Sequence, residues 1–75
     1  MRQMVLWQLT QLLIDKFGCD GEDVELATAL DDLNLHANDR EEIAVLLGEL
    51  YGIELPTETV QSWEYIEDIV ASFED

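Results

Sequence analysis

The sequence predicts an all-α fold, a small up-and-down four-helix bundle with a long loop between its first and second helices. Three observations predict it. Apolar residues recur every three or four positions along separate segments of the chain. Glycines and capping residues fall at the ends of those segments. The whole chain is 75 residues long with a single proline, Pro56. That length suits one domain, residues 1–75.

The first segment runs from Arg2 to Phe17. Leu6, Leu9, Leu13 and Phe17 step by three or four, and Trp7 and Ile14, one helical repeat apart, are expected to widen the stripe. Gly18 then stops the helix, as a left-handed residue at a helix end does. Cys19 to His36 reads as a loop of 18 residues, a length that is often functional in a small domain. Asp20, Gly21, Glu22 and Asp23 form a charged, exposed turn, while Val24, Leu26, Leu30, Leu33 and Leu35 are spaced to pin the loop to the core. A short helical turn is expected over Thr28–Leu33, capped by Thr28 with Asp31 three residues on.

The second helix is expected over Asn38–Tyr51, with Ile43, Leu46, Leu47 and Leu50 buried. Asn38 with Glu41, or Asp39 with Glu42, has the spacing of a capping box. The acids of this first turn sit where the helix dipole favours negative charge. Gly52 ends the helix, and Ile53 and Leu55 point inward from an extended stretch. Thr57–Gln61 fits one short helical turn capped by Thr57. Ser62 is expected to cap the last helix, in which Trp63, Ile66, Val70 and Phe73 recur at helical spacing and Ile69 broadens the face.

Charge narrows the function. There are 18 acidic residues against Arg2, Lys16 and Arg40, a net charge of -15 at pH 7. Such a surface excludes binding of nucleic acid by phosphate neutralisation. It equally excludes docking on anionic lipid through a basic face. A single cysteine leaves no internal disulfide and no multi-thiolate metal site. No apolar run approaches the roughly 18 residues of a membrane span. The first residues lack a small-residue cleavage site, so no signal peptide is expected. These features predict a cytoplasmic, monomeric protein with a basic protein partner.

One stretch is more specific: Leu46-Leu47-Gly48-Glu49-Leu50-Tyr51-Gly52-Ile53-Glu54-Leu55-Pro56. It resembles the second helix, aromatic-Gly turn and exit of the acyl carrier proteins. Thr28-Ala29-Leu30-Asp31-Asp32-Leu33 is similar to that family's approach to its attachment site, and Ser62-Trp63 with Ile66 and Val70 to its capped last helix. The resemblance spans nearly the whole chain. It implies a four-helix carrier with a phosphopantetheine arm on a serine at the start of the second helix, inside Asp-Ser-Leu. It also implies an acidic second helix that docks on basic patches of partner enzymes.

The matching positions here read His36-Ala37-Asn38, followed by Asp39. Ala37 offers a methyl where a phosphodiester needs a hydroxyl, and neither His36 nor Asn38 supplies one. No cofactor is therefore expected; phosphopantetheine enters only if the chain carries an arm by another route. Capping can pass to Asn38 or Asp39, where an alanine cap would cost about 1 kcal/mol.

The remaining candidates are weaker. His36 with Asp31, Asp32 and Asp39 lacks the ligand count of a structural zinc site. Asp20, Glu22 and Asp23 lack the twelve-residue spacing of a calcium loop. Cys19 has no basic neighbour, and Asp20 beside it disfavours the thiolate. No nucleophile and base stand at a catalytic spacing, so no enzyme activity is expected. Asp39, Glu41, Glu42 and Glu49 of the second helix are the expected partner-binding residues. The favoured expectation is an acidic, non-catalytic interaction module for a synthase-type or carrier-modifying enzyme. The alternatives are a genuine acyl or peptidyl carrier of fatty-acid or polyketide-type synthesis, and an acidic inhibitor or mimic occupying a basic groove.

Overall fold

A computed structural model describes residues 2–73. Four α-helices form a small all-α bundle: α1 (Arg2–Phe17), α2 (Ala37–Tyr51), α3 (Thr57–Gln61) and α4 (Ile66–Phe73). The segment joining α1 to α2 holds two 3-10 turns, Gly21–Asp23 and Leu30–Leu33. Among the described residues there is no strand, only one antiparallel bridge between Ala29 and Tyr65. Around that bridge the Leu30 N–H donates to Glu64 O at 2.9 Å and the Ile66 N–H to Thr28 O at 3.0 Å. These bonds satisfy backbone groups of the loop and strap it to the approach of α4.

α1 ends where the sequence predicts, because Gly18 adopts φ +68 and turns the chain out of the helix. Its buried line is Val5, Leu9 and Leu13, with Leu6, Leu12 and Phe17 partly covered. Trp7 and Ile14 do not widen this stripe; both are exposed. At about 100° per residue Trp7 lies on the far side of the helix from Leu9. Val5, Leu9 and Leu13 face the core on the other side, and the 3-10 turn at Gly21 lies against Ile14.

α2 starts one residue earlier than predicted, at Ala37, with His36 as its cap. The Asp39 carboxylate reaches back and accepts the His36 N–H at 3.1 Å. The box is therefore His36 with Asp39, neither Asn38 with Glu41 nor Asp39 with Glu42. Ile43 and Leu47 are buried and Leu46 partly so, but Leu50 is exposed at the end of the helix. Gly52 (φ +69) ends α2, and the Ile53 N–H returns to Gly48 O at 2.9 Å.

The other predicted caps also shift. Thr28 does not cap the second 3-10 turn: its hydroxyl donates to Asp23 O at 2.8 Å and accepts the Glu25 N–H at 3.1 Å. Thr57 is the first residue inside α3, preceded by Pro56. Ser62 closes α3 rather than opening α4, its N–H meeting Glu58 O and its hydroxyl donating to Thr59 O at 2.7 Å. α4 is capped by Asp68, whose carboxylate accepts the N–H groups of Glu64 and Tyr65, both at 2.9 Å. The predicted apolar residues of this region, Trp63, Ile66, Ile69, Val70 and Phe73, are all buried. Trp63 precedes the helix and donates its indole N–H to Ser72 Oγ at 2.9 Å.

Candidate functional site

The start of α2 is built by three neighbours. Leu35 is buried and anchors the incoming chain, and His36 is extended backbone (φ -90, ψ -179). Helical geometry begins at Ala37. Arg40, one turn on, fixes the corner: its Nε donates to Leu35 O at 3.1 Å and its Nη1 to Trp63 O at 2.7 Å. Its Nη2 donates to Asp31 Oδ1 at 3.1 Å. One guanidinium thus ties together the second 3-10 turn, the start of α2 and the approach to α4. In the sequence Arg40 stands out only as one of three bases.

His36, Ala37 and Asn38 are all exposed on this corner. Asp39 is half-buried and its carboxylate is taken up by the cap. Of the expected docking acids, Glu41, Glu42 and Glu49 are exposed along α2, while Asp39 serves the helix itself. Between Thr28 and Tyr51 the chain has no serine, threonine or tyrosine. The Thr28 hydroxyl is engaged in the loop, and the Tyr51 hydroxyl is buried with no hydrogen-bond partner among the described residues. Tyr51 stacks its ring at a tilt on Phe73, centroids 6.1 Å apart. Neither hydroxyl substitutes for one at position 37.

Further along α2 an open groove of about 530 Å³ runs between Ala44, Val45, Gly48 and Glu49 and the returning chain Gly52–Leu55. Glu49 and Glu54 edge it, so an apolar floor carries acidic walls. Gly48 makes the close approach possible, since a Cβ there would collide with Ile53 O. Val45 and Glu54 were not foreseen as site residues; Val45, three after Glu42 and off the buried stripe, was the available signal.

Cys19 is half-buried, and burial followed by the Asp23 carboxylate pushes its thiol above the ordinary value. The acid responsible is Asp23 rather than the adjacent Asp20. Among the described residues no three His, Cys, Asp or Glu side chains gather as a metal site. No helix of the described residues is long and apolar enough to cross a membrane. In comparisons with known proteins, no family model matches the chain and no curated protein matches it.

Proposed function

We propose that this chain is a carrier-protein-like interaction module that bears no phosphopantetheine. It docks through the acidic side of α2 on a basic surface of an enzyme that handles carrier proteins. The observation that carries the reading is Ala37, the exposed first residue of α2, at the position where the acyl carrier resemblance puts the attachment serine. A methyl there cannot be esterified. The His36–Asp39 box supports the reading, because it starts the helix without a hydroxyl at position 37. Glu41, Glu42 and Glu49 support the docking half, standing exposed along one helix of a chain with net charge -15.

The test is intact mass after incubation with coenzyme A and a promiscuous phosphopantetheinyl transferase. The unaltered chain is expected to gain nothing, and the Ala37→Ser, Asn38→Leu variant to gain one phosphopantetheine. A gain by the unaltered chain overturns the reading in favour of a working carrier. No gain by either chain removes the carrier-like docking surface, and with it the proposed class of partner.

A further inference from the structure

The outer face of α1 is the anomaly of this surface. Met4, Trp7 and Ile14 are 60%, 59% and 38% exposed on a helix whose opposite side is already spent on the core. With Gln11 they follow the spacing 4, 7, 11, 14, the three-four-three interval of a helix-pairing seam. The helix is also set apart by charge. Arg2–Phe17 contains one acid, Asp15, and two of the three bases, whereas the remainder of the chain holds the other 17 acids. A surface helix normally turns a polar face outward. This one presents a neutral, apolar face on an otherwise acidic body.

We propose that this face pairs with the same face of a second copy of the chain, helix against helix and antiparallel. Antiparallel pairing about the middle of α1 sets Met4 opposite Ile14 and Trp7 opposite Gln11 of the other copy, an isologous contact. The charges select that direction. The first turn of α1 carries no acid and presents the positive end of the helix dipole. Its far end carries Lys16 beside Asp15 and is followed by the 3-10 turn bearing exposed Glu22 and Asp23, which packs against α1, so this end is negative on balance. An antiparallel pair places each acidic turn beside the partner's positive helix end, twice; a parallel pair places like beside like.

The contact is weak and reversible. With an aromatic side chain burying about 150–250 Å², the stripe offers on the order of 400 Å² per copy, roughly half the share of a stable interface. Two bodies of net charge -15 also repel at long range. Salt therefore tightens this pairing, whereas it weakens the docking of a basic partner on α2, so the two surfaces are separable by the sign of their salt dependence.

The experiment is sedimentation equilibrium of the full chain from about 10 µM to about 1 mM, the span a weak interface requires. The mass is expected to rise from 8.6 kDa toward twice that value with concentration. The apparent dissociation constant is expected to fall several-fold between about 10 and about 150 mM salt. Trp7→Glu is expected to stay monomeric at every concentration with an unchanged melting temperature, since the side chain it replaces is exposed. Met4→Gln with Ile14→Gln is a second variant with the same expected result. Direction is read by mixing Met4→Cys and Ile14→Cys chains, each also Cys19→Ser, with a short bismaleimide: mixed pairs are expected, and like pairs overturn the antiparallel arrangement. A chain that remains monomeric throughout overturns the proposal. So do pairing undiminished in Trp7→Glu, pairing that loosens with salt, and binding to phosphatidylcholine vesicles without self-association.

Discussion

Replacing Arg40 by methionine keeps most of the aliphatic stem and removes the guanidinium. Three hydrogen bonds go with it, to Leu35 O, Trp63 O and Asp31 Oδ1. They are unequal. The Arg40 side chain is 15% exposed, but Asp31 is 90% exposed, so their ion pair is screened and contributes at most about 0.5 kcal/mol. The carbonyls belong to two buried residues, Leu35 and Trp63, and a charged donor to such a group is worth about 1.5–3 kcal/mol. Water reaching the vacated corner recovers part of that. Arg40→Met is therefore expected to cost about 2–3 kcal/mol and Asp31→Asn less than about 0.5 kcal/mol. In a domain of this size the first value corresponds to a drop of roughly 10–20 °C in melting temperature. Arg40→Lys keeps the charge but loses the fork, and falls between the two. Urea unfolding followed by far-UV circular dichroism measures all three. If Asp31→Asn costs as much as Arg40→Met, the ion pair and not the carbonyl clamp holds the corner, and the reasoning fails. If Arg40→Lys matches the unaltered protein, the fork geometry is irrelevant.

Gly48→Ala is expected to destabilise by about 2 kcal/mol, because its Cβ meets the Ile53 carbonyl, and by more than Gly52→Ala, which strains φ +69 but enters open space; equal losses in urea melts would contradict the packing account. Cys19 is expected to alkylate more slowly in the folded chain than in urea at pH 8, since the folded thiol titrates above its ordinary value. By the same linkage its contribution to stability is complete below the unfolded pKa and is lost as pH rises through the folded one, so Cys19→Ser should flatten the alkaline side of the stability profile. Thermal melts are expected to rise by a few degrees between about 10 and about 150 mM salt, as screening shortens the reach of self-repulsion to about 8 Å; an unchanged melting temperature would contradict this.

Much of the fold was legible in the residues. The ends of α1 and α2 are set by glycines in the left-handed region, and the core of α4 follows the period of a helix. α1 was legible in its extent and in its Leu9–Leu13 line, but not in the width of its buried side, where Trp7 and Ile14 were expected and are exposed. Its leucines and its Met4–Trp7–Ile14 line are both apolar, so periodicity alone does not say which side meets α2 and α4. The start of α2 was ambiguous for a similar reason. Two overlapping boxes, 38/41 and 39/42, compete in the sequence, whereas the one that forms, 36/39, begins on a histidine and shows only in the backbone geometry. Arg40 was invisible because two of its partners are main-chain carbonyls 5 and 23 residues away, and every residue has one. At the candidate site, Ala37 stood out only through the acyl carrier resemblance, and the helix it opens was expected to start one residue later, at Asn38. The groove beside Val45 was not, because it exists only once the chain folds back after Gly52 against Gly48.

α1 packs on α4, the first helix on the last. During synthesis the leucine side of α1 therefore emerges long before the surface that shelters it. Until Ile66–Phe73 are in place, Val5, Leu9 and Leu13 lack part of their cover. The bundle is thus closed by a contact between helices far apart in the chain, α1 with α4, and not by neighbours along it.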